Sequence, residues 1–126
     1  MQVKRLINAS VEEVWEILID TQLWPVWGPS VSAVECSQRR ITADSCGRLK
    51  TAIGLWVEFE ISCFEPLSFW DWKVAGLPAT GHRLESKGAA ISALMFELPF
   101  VALPYALICR QALNRVAQLA EGAKDD

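Results

Sequence analysis

The chain has 126 residues, 52% of them hydrophobic, with a net charge of −3 and a pI near 5.2. That length suits one domain with a single core. The mild acidity, with no long block of like charge, excludes the basic footprint of a nucleic-acid binder.

The first predicted element is a short apolar strand from Val3 to Ile7. Asn8-Ala9-Ser10 follows, and Ser10 opens a helix with Glu13 three residues on, a capping-box signature. Val11, Val14, Trp15 and Leu18 recur at helical spacing, with Glu12, Glu13 and Glu16 on the other face. The helix runs out at Asp20-Thr21. Trp24-Pro25-Val26-Trp27 then forms a short helical turn. Gly and Pro punctuate the middle of the chain at short intervals. They separate candidate strands at about 31–38, 47–53, 55–65, 68–75, 80–87 and 89–98. The clearest places Leu55, Val57, Phe59, Ile61 and Cys63 on one face. Trp56, Glu58, Glu60 and Ser62 take the other. The next places Trp70, Trp72 and Val74 opposite Asp71 and Lys73. Thr80, His82, Leu84 and Ser86 share a face of the following strand, as do Ser92, Leu94, Phe96 and Leu98 of the last. A long helix starts near Pro104. Its apolar stripe is Tyr105, Ile108, Cys109, Ala112, Val116, Leu119 and Ala120. Gly122 is its natural stop, which predicts one domain over 1–122 and a frayed tail over 123–126.

Several classes fall away. The N-terminal MQVKRLINAS lacks the apolar stretch of a secretory signal, so a cytoplasmic protein is expected. Residues 89–109 carry one charge, Glu97, but Pro99 and Pro104 would break a membrane helix twice. A strand, a turn and a helix start account for them, and no membrane span is expected. Four cysteines without C-x-x-C spacing are expected to be reduced thiols. With one histidine a multi-His metal site is excluded. There is no Gly-rich phosphate loop, paired-acid motif or nucleophile elbow, so no cofactor is expected.

The run Asn8-Ala9-Ser10-Val11-Glu12-Glu13-Val14-Trp15, the Trp24-Pro25-x-Trp27 turn and the helix from Tyr105 to Leu119 together resemble the polyketide cyclase/dehydrase branch of the SRPBCC superfamily. This is the START-like, pollen-allergen-like group. The resemblance covers nearly the whole chain. It implies an α+β helix-grip fold: a twisted antiparallel sheet of about seven strands wrapped around the C-terminal helix, with two short helices after strand one. It also implies a cavity between the concave face of the sheet and that helix. Three connections would ring its mouth, at 53–56, 76–81 and 99–104.

Strand parity fills such a cavity with named residues. Val57, Phe59 and Ile61 come from one strand and Trp70 and Trp72 from the next. His82 with Leu84, and Leu94 with Phe96, follow. The helix adds Tyr105, Ile108 and Cys109. Trp56, Leu77, Phe100 and Leu103 would form an apolar rim, and apolar groups at a rim point to a greasy ligand or a partner. Phe59, Trp70, Trp72 and His82 are expected to share a cavity of a few hundred cubic ångströms, roughly the lower range for ligand sites. His82, inward and near the mouth, should be neutral at pH 7. It and Tyr105 are the only candidates for proton handling.

Three functions fit. One is binding of a small apolar molecule, whether lipid, aromatic or polyketide-like. The second, which the resemblance permits, is an aromatase, cyclase or dehydratase, which needs mainly a shaped, dry cavity. The third is a protein-interaction module that docks a partner on the rim.

Overall fold

The computed structural model describes residues 2–98 and 103–122, with side chains from 107 onward in the last helix. The chain order is β1 (Gln2–Ile7), α1 (Val11–Ile19), α2 (Trp24–Trp27), β2 (Val31–Cys36), β3 (Cys46–Thr51) and β4 (Trp56–Glu65). Then come β5 (Phe69–Val74), β6 (Leu77–Pro78), β7 (Gly81–Gly88), β8 (Ile91–Glu97) and α3 (Leu103–Gly122). The strands form one antiparallel sheet in the order β1-β8-β7-β5-β4-β3-β2. The two-residue β6 pairs with β5 outside that path. This is the expected α+β helix grip, with two short helices after the first strand.

α1 forms where its cap predicts. The Glu13 amide donates to Ser10 Oγ at 3.2 Å, which fills one orphan donor of the first turn. The Glu13 carboxylate accepts from the Ser10 hydroxyl at 3.1 Å rather than reaching back to its amide. Val14, Trp15, Leu18 and Ile19 turn inward. α1 ends at Asp20, whose buried carboxylate accepts from Arg39 at 3.1 Å and from the Gln22 amide at 3.0 Å. That ties the β2–β3 connection to the end of α1. α3 packs on β1 and β8, and α1 and α2 pack on α3. Its buried stripe includes Leu113 and Ala117 as well as Cys109, Ala112, Val116 and Ala120.

β4 departs from simple alternation. A bulge in β4 between Ile61 and Cys63 shifts the register. Beyond it Phe64, not Cys63, shares the inner face, and its ring lies 5.5 Å from Trp15. Cys63 is paired with Asp71 instead. Cys36 on β2 and Cys63 on β4 are separated by β3, and all four cysteines are free thiols. Among the described residues no helix is long and apolar enough to cross a membrane.

Candidate functional site

Cross-strand register builds the site. Phe64 pairs with Trp70, Trp70 with His82, and His82 with Phe96, so four rings lie in a row across the concave face. Trp72 sits one inward step along β5, paired with Ile61. Against this row the Trp-Pro-x-Trp helix α2 lays Trp24 and Trp27, three residues apart and on one face. Trp24 stacks on Trp70 with centroids 5.5 Å apart, and its Nε1 donates to the Leu18 carbonyl at 2.9 Å. Trp70 in turn stacks on His82 at 3.9 Å. Trp27 meets the edge of His82 and tilts against Phe96.

These rings fill most of the expected interior. What is left is an inner chamber of about 50 Å³, against the few hundred anticipated. The reason is α2: Trp24, expected from sequence to anchor the turn and to belong to the core, packs against Phe59, Trp70 and Trp72 on the concave face. The chamber is walled by Trp24, Trp27, Trp70, Trp72, His82 and Phe96, and on the helix side by Ile108, Cys109 and Ala112. It also touches the 28–31 connection and Thr80. A second, larger space adjoins it. This is a mostly apolar groove of about 360 Å³, bounded by Leu49, Val74 and Ala79 and by the β3–β4 turn through Ala52, Ile53 and Leu55. That turn depends on Gly54 at φ 87°, a left-handed conformation that glycine adopts without strain. It leaves Ile53 81% exposed at the lip. Ser30, Val31 and Trp72 belong to both spaces.

Among the described residues the polar groups here are few and uncharged. His82 is 2% exposed, and burial pushes its pKa down to about 3. Its Nδ1 lies 3.2 Å from the Trp70 carbonyl, which only accepts. Nδ1 therefore carries the proton and Nε2 keeps a lone pair. Burial pushes the Cys109 thiol up, with the Thr80 side chain working against it. Cys109 is accordingly a thiol rather than a thiolate at neutral pH. The indole Nε1 atoms of Trp27, Trp70 and Trp72 are buried and have no hydrogen-bond partner among the described residues.

The candidates from sequence divide cleanly. Trp70, Trp72, His82, Phe96, Ile108 and Cys109 meet at the inner chamber. Phe59, Ile61, Leu84 and Leu94 are buried in the core rather than on its wall, and Val57 is half-buried beside them. Trp56 sits away from the mouth, with the Arg48 guanidinium 4.5 Å above its ring. Its outward strand parity decides this, since β3 puts Arg48 on the same face. Leu77 is 69% exposed and lines neither space. Phe100 and the side chains of Leu103 and Tyr105 lie outside the described residues. Trp27, Val31, Thr80 and Ala112 were not singled out for the site. The signal for Trp27 was present in Trp-Pro-x-Trp, where two indoles at i and i+3 share a face. Among the described residues no group of three His, Cys, Asp or Glu side chains is placed to hold a metal ion.

No family model and no curated protein sequence matches the chain. Solved structures do. A START superfamily protein from Mycobacterium smegmatis aligns with a TM-score of 0.67 at 14% identity, covering 98% of this chain and 94% of that one. The chain has the START-like fold. The Zhui aromatase/cyclase from Streptomyces sp. R1128 aligns over 96% of this chain and 92% of its own, with a TM-score of 0.68 and 15% identity. The di-domain aromatase/cyclase StfQ of the steffimycin biosynthetic pathway gives 0.72 at 16% identity, over 99% of this chain and 46% of its own. In the START-like fold as built here, the concave sheet, α2 and α3 are the elements that converge on the aromatic chamber.

Proposed function

We propose that this protein binds a small, uncharged, largely apolar molecule, with its body in the groove beside the β3–β4 turn and one end toward the aromatic chamber. The observation that carries this reading is that the two spaces lie side by side and share Ser30, Val31 and Trp72 in their walls. A groove of about 360 Å³ falls within the usual range for small-molecule sites, roughly 300–1,000 Å³. A charged ligand is disfavoured at the inner end, because burying an ion without a partner is costly and neither His82 nor Cys109 carries a charge at neutral pH.

A cyclase or aromatase is the second reading, favoured by the aromatase/cyclases among the structural neighbours. His82 serves it poorly as a base, since a group with a pKa of about 3 has little affinity for the proton it would have to take. Docking of a protein on Ile53, Leu55 and Leu77, all exposed, is the third.

Titration of the folded protein with the neutral fluorophore N-phenyl-1-naphthylamine tests the binding reading. Saturable one-to-one binding, weakened by a polar substitution in the groove such as Leu55→Asp, supports it. Fluorescence that rises only as the protein unfolds would remove it.

A further inference from the structure

We propose that the inner chamber is a subsite for one neutral oxygen atom of the ligand, a carbonyl or hydroxyl, and that the Trp72 side chain is the partition between this subsite and the apolar groove. This rests on the binding reading above and adds the polar chemistry of the ligand and the residue that controls access to it.

The subsite follows from unpartnered donors. Trp27 is 6% exposed and Trp70 is fully buried, yet neither indole N–H has a hydrogen-bond partner among the described residues. An orphan buried donor costs about 1–3 kcal/mol. Trp24, packed among the same rings, spends its N–H on the Leu18 carbonyl, so the local backbone is able to satisfy an indole. The two orphans both belong to walls of the chamber. Both can only donate. The matching group is therefore an acceptor. His82 offers the complementary lone pair on Nε2, which a hydroxyl ligand would also satisfy.

Trp72 differs from the rings beside it. Trp24 and Trp70 are stacked face to face, and Trp70 is stacked again on His82. Trp72 meets Trp24, Phe59, Trp70 and His82 only in edge-to-face contacts, at 63° to 77°. It is half-buried, and its N–H is the third orphan. Its backbone is well held, for its carbonyl accepts from the Ala79 amide at 3.0 Å. Its side chain stands where the β5–β7 ladder, which pairs only Phe69 and Trp70, gives way to β6. A rotation of this one indole joins the chamber to the groove without moving a strand.

Two probes of similar shape separate the parts of the proposal. 2-Acetylnaphthalene carries a ketone, and 2-ethylnaphthalene does not. The ketone should bind about tenfold tighter, as roughly 1.4 kcal/mol of net hydrogen bonding implies. Each of the six tryptophans gives one indole N–H signal in a ¹⁵N-resolved spectrum. The Trp27 and Trp70 signals should move downfield with the ketone and stay in place with the hydrocarbon. Trp72→Ala should raise the association rate of the ketone severalfold. Trp72→Phe, which keeps an apolar ring, is the control if the alanine variant fails to fold, and it should raise the rate less. Equal affinities with unmoved Trp27 and Trp70 signals would overturn the oxygen subsite. An association rate unchanged in both Trp72 variants would overturn the partition. In either case N-phenyl-1-naphthylamine still binds if the groove reading is right, so the two failures are distinguishable.

Discussion

His82 couples folding to pH through its burial. In the native protein it takes a proton only at about pH 3, whereas its ordinary value is 6.5. Between those values the unfolded chain binds one more proton than the folded one. Stability from this group is complete above pH 6.5 and is lost as the pH falls toward 3, by at most about 1.4 kcal/mol per pH unit. Among the described residues Cys109 is the other titratable group on the chamber wall, and its thiol stays neutral throughout that window. NMR of the single imidazole should show no titration step near neutrality. His82→Phe should flatten the acid limb of the stability curve. A native pKa near 6.5 would mean that the ring reaches water. Trp15 tests packing at the same scale. It is 4% exposed and lies against Phe64, so Trp15→Ala should cost about 3–5 kcal/mol in urea unfolding. An unchanged midpoint would refute its burial.

At the scale of elements, the close fit of β2, β3 and β4 depends on Gly47. A Cβ there would collide with the Glu35 carbonyl oxygen and come within 3.2 Å of Cys36 Cα and of the Phe59 ring. Two of those three neighbours are backbone and cannot swing aside. Gly47→Ala should therefore destabilise by roughly 1–3 kcal/mol, the range for overpacking. Gly76→Ala is the contrast, because nothing lies within 4 Å of its Cβ position and only its φ of 77° opposes the change. Equal melting midpoints for Gly47→Ala and the wild type would show that β2 and β3 separate at little cost. The helix α1 is simpler. Its cap was legible from Ser10 and Glu13 because a capping box is a contact between residues three apart, which sequence displays directly. The β4 bulge was not. It is a mismatch between two strands, and strict alternation along β4 gave no sign of the slip that puts Phe64 on Trp15.

For the whole molecule, α1, α2, α3 and the sheet share one aromatic-rich core, so folding should be a single cooperative event. Tryptophan fluorescence and far-UV circular dichroism should give the same urea midpoint, and two separated midpoints would mean that the α2 cluster melts apart from the sheet. The order of the main elements, the inward faces of β5, β7 and β8 and the inward turn of His82 were determined by the sequence. They rest on period two, period 3.6 and local turn chemistry, each of which acts between residues near in the chain. The volume of the interior was decided only in the tertiary structure. Parity says that Trp70, Trp72 and His82 face the concave side, but not that Trp24, some 46 to 58 residues earlier in the chain, stacks into the same space and reduces it to about 50 Å³. How much room a cavity keeps depends on which side chains interlock across the fold. That is a property of close packing between distant segments, which no local pattern encodes.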